Sequence, residues 1–570
     1  EPMNDSRSQA PARCLVPFAL SAGFFAAILA ALVRSGLRRN EGTFVYPLDD
    51  AYIHLAVSRN IALHGVWGIT PYQFSGASSS PAWTLLLALV SKLFGVHLVT
   101  PLILNALAGL GLLLVASWLL AYALPASSST FRTAWMLVLV LVMPLAGAAM
   151  VGMEHVLHSL AMLALVSLAA LTVHRSQSLP LRRATLAGLA ILAALCGGLR
   201  YESCFAICAI AVVLLLRRRR LAAIVVLLSA ATGPLLYAIF SHRHSGVALP
   251  FSVVMKSAGR GASHNSISSI LTSVLLSVAV PLAAVLALRI GFARSRRQTG
   301  DGFWSIPVSF AIITLGTAVL HLVLGPEGWL MRYEAYVFAL GILALALLIG
   351  ELATLWDRDA QRSWIVLALL LASFPQIVLL GRRAQHGYQD VAASLHDRYV
   401  EHLGQALFAA QDYPHATIVA NDIGFLAFYA PDARILDPLG LGSLEPVQLA
   451  RRHGSPDPQF MRQWAARNQA TLAILHTDFA GMATLTPADW IPVESWCFPH
   501  NLVFQNHVET FFAPDPAAAS ALREHLSGFT NLSPEIVRYR IPQDASVPPV
   551  PQRGELSVCP APAAQSDSSR

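Results

Sequence analysis

Pro81-Ala82-Trp83-Thr84-Leu85-Leu86-Leu87-Ala88-Leu89-Val90-Ser91-Lys92-Leu93-Phe94-Gly95 is the stretch on which the topology of this chain turns. It is apolar, yet shorter than the roughly 20 residues that cross a bilayer. Around it lie apolar runs at about 15–33, 98–122, 133–151, 155–173, 184–200, 203–216, 221–240, 266–290, 303–323, 335–355 and 363–381. Each reads as a membrane span. Basic residues decide whether 81–95 joins them, because Lys and Arg concentrate in cytoplasmic loops. With 81–95 lying at the interface and the N-terminus inside, 16 of the 26 basic residues in 1–381 fall on the cytoplasmic side. They are Arg7, Arg13, Arg132, Arg175, Arg182, Arg183, Arg217 to Arg220, Arg289, Arg294, Arg296, Arg297, Arg358 and Arg362. A crossing at 81–95 would move Arg217–Arg220 and the Arg294–Arg297 cluster outside. The non-crossing choice has a cost, since it leaves the Arg34, Arg38 and Arg39 cluster outside, against the rule. The sequence therefore predicts eleven spans and an outer C-terminal tail.

Composition supports this class. The 570 residues are 55% apolar and 12% charged, against about 25% charge in a soluble domain. An ordinary cytosolic enzyme is excluded. Residues 1–381 carry a net charge of +13 and residues 382–570 carry −6. The positive excess sits between spans, where it orients the chain, and not on the face of a nucleic-acid-binding domain. The first apolar run is followed by Arg34, Arg38 and Arg39 and reads as a retained span, not a cleaved signal.

Three regions follow: a transmembrane domain at 1–381 with a first outer loop at 34–97, an extracytoplasmic domain at 382–545, and a Pro-, Ser- and Ala-rich tail at 546–570 expected to be disordered. The outer domain mixes strand-like runs (Ala416 to Ala420, Thr471 to Leu475) with helical ones (Val391 to Ala410, Ala517 to Leu526), which predicts α/β or α+β. Cys196, Cys204 and Cys208 read as packing residues, and Cys497 and Cys559 are placed to pair in an oxidising compartment.

Carboxylates are scarce in the first 381 residues, and the predicted topology gathers several on the outer face. A charge at membrane depth is costly and suggests function. In Tyr46-Pro47-Leu48-Asp49-Asp50-Ala51-Tyr52-Ile53-His54, the adjacent Asp49 and Asp50 suit a general base or a metal site, and equally a helix cap. Ser75 to Trp83 is a hydroxyl-rich turn in which Ser80 reads as an N-cap and Pro81 as the first helical residue. Glu154-His155 occupies a short turn between spans. Arg200-Tyr201-Glu202 sits at a span junction, where an Arg can hold a phosphate through two hydrogen bonds. Lys256 and the run Arg332-Tyr333-Glu334 add further phosphate or sugar contacts beside spans. Asp49, Asp50 and Glu154 are also the set that would share a divalent cation. Asn421-Asp422-Ile423-Gly424 and Asp437-Pro438-Leu439-Gly440-Leu441-Gly442 read as loops at strand ends.

Taken in order, Asp-Asp-Ala-Tyr-Ile, Ser-Ser-Ser-Pro-Ala-Trp, Gly-Met-Glu, Arg-Tyr-Glu, Leu-Pro-Phe-Ser…Lys, a second Arg-Tyr-Glu and the tail Asp-Ile-Gly…Leu-Asp-Pro-Leu-Gly-Leu resemble the GT-C superfamily of integral-membrane glycosyltransferases. Within it they are similar to bacterial polyprenyl-phosphate-sugar-dependent enzymes of the arabinofuranosyltransferase type. The resemblance covers most of the chain and departs from the family pattern at Phe251, where relatives often carry Asn. It implies a GT-C-like membrane domain of about eleven helices. It also implies a first-loop carboxylate as base for the acceptor hydroxyl (Asp49 or Asp50, with Asp49 favoured by the pattern), and Glu154 as the second acidic residue. Arg200, Lys256 and Arg332 become candidate phosphate contacts, with Tyr52, His54, His155, Glu202, Tyr333 and Glu334 lining the substrate site.

The expected activity is inverting transfer of a sugar from a polyprenyl-phosphate donor to a cell-envelope glycan, lipid or protein acceptor. It would occur at the outer face of the cytoplasmic membrane, with no cofactor beyond a possible divalent cation and no nucleic acid. The alternative is a transporter or flippase of lipid-linked sugars; the absence of an internal repeat and the large outer domain weigh against it.

Overall fold

The computed structural model describes residues 10–175, 180–259, 273, 275–295, 303–326, 328, 330–355, 374–452, 454–479, 481–498, 501–503 and 507–542. Among them, seven helices are long and apolar enough to cross a membrane, and the chain is a multi-pass membrane protein. The helices of the bundle are α1 (Ala10–Arg39), α2 (Asp49–His64), α3 (Pro81–Phe94), α4 (Thr100–Ala123), α5 (Ser129–Val142), α6 (Leu145–Met150), α7 (His155–His174), α8 (Arg183–Leu199), α9 (Ser203–Leu216), α10 (Arg220–Ser245), α11 (Phe251–Gly259), α12 (Leu276–Ser295), α13 (Ile306–Leu324), α14 (Ala335–Leu355) and α15 (Phe374–Arg398). The start of the expected eighth span (266–272), the expected eleventh span before Phe374, Cys559 and the 546–570 tail lie outside the described residues.

Burial separates the centre of the bundle from its rim. The most apolar window of α14 is 78% buried and that of α7 is 72%, whereas α10 is buried over only 17%. The central helices pack on their neighbours all round, and the outer ones turn Leu, Ile and Val outward, as a helix in lipid does. Cys196 packs inside, while Cys204 and Cys208 lie on the outer surface of α9.

Hydrogen bonds and ion pairs identify the two ends. At one end Arg13 donates to the Pro125 carbonyl, His174 meets the Trp304 carbonyl, Arg219 donates to the Arg175 carbonyl and Arg289 pairs with Glu351. This end collects the arginine clusters. At the other end Tyr46 donates to the Leu98 carbonyl, Asn105 to that of Met153, Arg383 to that of Val142 and Asn40 to that of Leu395. The C-terminal domain is attached there.

The helix α3 runs alongside α2. Thr84 meets His54 near the start of both helices, and Lys92 donates to the Ala62 carbonyl near their ends. Its 14 residues span about 21 Å, less than the roughly 30 Å hydrocarbon core. Leu85, Leu89 and Leu93 form an exposed apolar stripe on one face, the pattern of an interfacial helix. Pro81 opens α3, but the Ser80 hydroxyl makes no capping bond.

The chain leaves α15 through a single π turn (Tyr399–Leu403) into the C-terminal domain. There α16 (Gly404–Asp412), β1 (Thr417–Ala420), α17 (Gly424–Tyr429), β2 (Arg434–Leu436), α18 (Leu444–Arg451), α19 (Pro458–Arg467), β3 (Leu472–His476), α20 (Met482–Leu485), β4 (Ile491–Cys497), β5 (Val508–Ala513), α21 (Pro516–Gly528) and β6 (Val537–Arg540) follow. The sheet order is β2-β1-β3-β5-β4-β6. The first three strands are parallel and the rest antiparallel. Parallel strands need both faces covered, and every residue of β3 is buried. Phe408, Trp496, Phe511 and Phe529 form the aromatic centre under α16 and α21. Cys497 is disulfide-bonded.

This domain is seated on the first loop by α2, which holds both ends of α17. Asp49 accepts hydrogen bonds from the Gly424 and Phe425 amides at 2.7 and 2.9 Å. Arg59 donates to the Phe428 and Ala427 carbonyls, both at 2.8 Å. A carboxylate at a helix N-terminus and a guanidinium at its C-terminus satisfy orphan backbone groups and complement the helix dipole. Gly424 permits the approach, since a Cβ there would collide with the Asp49 carbonyl.

Candidate active site

Both carboxylates of the first loop lie in the first turn of α2, where neither caps its own helix. Successive helical residues point about 100° apart, so Asp49 and Asp50 serve different surfaces. Asp49 is committed to α17, and burial pushes its carboxyl up to about 6 against the attraction of His402 and the two amide donors. Asp50 faces the bundle. Its Oδ2 accepts from Arg332 Nη2 at 2.7 Å, and its side chain is 37% exposed.

Three span junctions meet Asp50. The first is the turn between α6 and α7, where Gly152 takes φ +75° and a Cβ would stand 2.5 Å from the Tyr46 ring. That turn places Glu154, wholly buried, 2.5 Å from Arg200 Nη1. The second is the α8–α9 junction, where Arg200 also pairs with Glu202 through two bonds of 3.2 and 2.7 Å. The third precedes α14. Leu330 and Met331 adopt φ of +59° and +57°, a left-handed pair that costs backbone energy and marks functional turns. Arg332 follows at once. It bonds Asp50, donates to Met153 Sδ and lies over the Tyr333 ring at 5.0 Å, while Arg200 lies over the same ring at 5.3 Å.

These groups line a cavity of about 360 Å³ at the domain-bearing end of the bundle. Of the residues expected from sequence, Asp50, His54, Arg200, Glu202, Arg332 and Tyr333 line it. Glu154 and His155 stand directly behind, touching Arg200. Burial pushes the His54 imidazole down, which keeps it neutral, and its Nδ1 meets the Thr84 hydroxyl at 2.9 Å.

The structure turns three expected residues elsewhere. Asp49 caps α17. Tyr52 is buried against Phe425, with ring centroids 3.7 Å apart. Glu334 points into the bundle and pairs with Arg383 at 3.1 Å. Lys256 stands on α11, whose Ser252 and Val253 line the cavity, but its side chain lies outside the described residues. Asp49, Asp50 and Glu154 do not fit a shared cation: no such group has its ligand atoms within 4.8 Å of one another among the described residues.

Sequence reading missed Leu441 as a wall of the cavity. It arrives on the loop after β2, where Asp437 accepts from the Leu439 and Gly442 amides at 2.8 and 2.7 Å, and burial pushes this carboxyl up to about 7. Ser75 donates to the Gly442 carbonyl and ties that loop to the loop at 34–97. The hydroxyl-rich turn after Ser75 was a usable signal, and it contributes Ala77 and Ser79 to the lining.

Residues 388–512 match a family model described as a domain of unknown function (DUF8728). No curated protein matches the chain in sequence. Among solved structures, the chain is similar to ArnT from Cupriavidus metallidurans in the apo state, with a TM-score of 0.52 at 15% identity over 87% of this chain and 98% of that one. The same protein bound to undecaprenyl phosphate gives 0.48 at 14% identity, over 87% and 99% of the two chains. The archaeal oligosaccharyltransferase AglB from Archaeoglobus fulgidus, in complex with an inhibitory peptide and a dolichol-phosphate, gives 0.44 at 11% identity, over 87% and 74%. The chain shares the overall fold of ArnT from Cupriavidus metallidurans.

Proposed function

We propose that this protein is a glycosyltransferase that moves a sugar from a polyprenyl-phosphate donor to an acceptor hydroxyl, in the cavity between the bundle and the outer domain. One observation carries the reading: Asp50, partly exposed and held by Arg332, shares the cavity with a second buried arginine, Arg200. The GT-C fold and the ordered motifs support it.

Asp50 would accept the proton of the acceptor hydroxyl as that oxygen attacks the anomeric carbon from the face opposite the phosphate, inverting the configuration. The bond from the anomeric carbon to the phosphate oxygen breaks, and the electron pair stays on the lipid phosphate. That leaving group is already anionic and needs positive charge more than a proton. Arg332 and Arg200, on the Tyr333 ring, are the groups to supply it. They are already paired with carboxylates, Asp50 and Glu202 in the cavity and Glu154 behind it. A further cation would strengthen phosphate binding, and position 256, one helical turn beyond Ser252, is the natural source.

The arginine clusters at the opposite end of the bundle support an extracytoplasmic cavity. The site would then work at the outer face of the cytoplasmic membrane, where lipid-linked sugars meet envelope acceptors.

The test is transfer by purified protein in nanodiscs, from a panel of labelled polyprenyl-phosphate sugars to envelope acceptors. Product lost in Asp50→Asn supports the reading. Translocation of the labelled lipid across proteoliposomes, without product, would replace it with transport.

A further inference from the structure

A second polar centre lies in the outer domain, apart from the cavity. Glu401 and His402 come from the π turn, Asp422 from the end of β1, His476 from the end of β3 and Glu509 from the β5 position that pairs with His476. Four of the five are at most 1% exposed, and Asp422 is 22% exposed. The loops at the carboxyl ends of parallel strands are where open α/β sheets place ligands.

The distances inside the cluster are wrong for hydrogen bonds. His476 Nε2 is 3.6 Å from Glu401 Oε1, 3.5 Å from Asp422 Oδ2 and 3.5 Å from Glu509 Oε1. His402 Nε2 is 3.5 Å from Asp422 Oδ1, and its Nδ1 is 3.4 Å from Glu401 Oε2. A side-chain N–H···O bond spans about 2.7–3.2 Å. Bonds of about 2.0–2.2 Å from a tetrahedral zinc to N and O set neighbouring ligand atoms about 3.3–3.6 Å apart. Among the described residues, neither ring nitrogen of His476 and neither carboxylate oxygen of Glu509 has a hydrogen-bond partner, although all four atoms are buried.

Charge points the same way. Three carboxylates converge, and Arg398 is the guanidinium beside them, bonded to Glu401 Oε2 at 2.7 Å and to the His402 ring.

We propose that Glu401, His402 and His476, completed by Glu509 and Asp422, form a binding site for a divalent transition-metal ion of the zinc type. The ion would cross-link the π turn to the ends of β1 and β3. Asp422 lies two residues before Gly424, so the ion would also fix the start of α17, the helix that Asp49 grips. The role is structural: the site holds the outer domain on the loop that carries Asp50. It is independent of the transfer reaction proposed above.

The experiment takes the full chain in detergent, strips it with EDTA, and adds Zn²⁺ or Co²⁺ alone. Metal content by mass spectrometry, the visible spectrum of the cobalt form and the Tm are read together. One ion per chain is expected, with the strong visible bands of four-coordinate cobalt and a Tm that falls with EDTA and returns with zinc. His476→Gln and Glu509→Gln should each weaken cobalt binding by at least about tenfold. Should His476→Gln fail to fold, the isosteric Glu509→Gln decides alone. Wild-type affinity in Glu509→Gln would overturn the site. So would uptake of Ca²⁺ or Mg²⁺ in place of zinc, or loss of the ion in Asp50→Asn. A chain that takes no ion and ignores EDTA holds an ion-pair cluster around a protonated His402, and the proposal fails.

Discussion

Asp49 and Asp50 are neighbours in sequence and belong to different regions of the molecule. Asp49 is buried, receives two backbone amides and holds the C-terminal domain. Asp50 is partly open, receives one guanidinium and faces the cavity. The difference shows that a pair of carboxylates can divide the work of a site. One holds the wall and the other faces the cavity, where the proposed transfer would use it, because a helix turns them apart.

Breaking the second member should have the largest effect. Asp50→Asn keeps the shape and removes the base, so turnover should fall by about 10²–10⁴-fold with donor binding retained. Steady-state transfer kinetics with a binding measurement check this. Arg332→Lys keeps a charge but loses the planar contact to Asp50. A hydrogen bond to a charged group contributes about 1.5–3 kcal/mol, which predicts a loss of roughly tenfold to a hundredfold in kcat/KM.

Breaking the scaffold should act on stability first. Gly152→Ala forces a methyl group toward the Tyr46 ring and strains a left-handed residue, at a cost of about 1–3 kcal/mol in thermal or denaturant unfolding. Asp49→Ala leaves two amides of α17 without their carboxylate, at about 1–2 kcal/mol. Hydrogen exchange should rise in residues 424–429 while transfer persists, the reverse of Asp50→Asn. The smallest effect is in pH. The Asp49 carboxyl is raised by burial to about 6 from an ordinary value near 4, so its protonation favours the folded state. Its contribution is full below about pH 4 and is lost as pH rises through about 6. Asp49→Asn should flatten the Tm profile over that range.

The membrane class and the mixed C-terminal domain were legible because hydropathy and charge are local properties, and a short helix at 81–94 falls where the short apolar run indicated. Strands β1 and β3 fall where the β-branched and apolar runs indicated. The site was legible only as a set of motifs. Nothing local distinguishes Asp49 from Asp50, because the distinction is made by α17, which lies 375 residues further along the chain. Arg332 and Glu334 diverge in the turn before α14, one toward the cavity and the other toward Arg383. Leu441 enters from another domain. Glu401, His402, Asp422, His476 and Glu509 have no recognisable spacing, since separate strands and a π turn bring them together.

The most direct test of the account compares Asp50→Asn with Asp49→Asn, each purified in nanodiscs and assayed for transfer from polyprenyl-phosphate sugars. The account predicts that Asp50→Asn abolishes product while Asp49→Asn retains it with a looser outer domain. Full activity in Asp50→Asn, or loss confined to Asp49→Asn with α17 still protected, would contradict it.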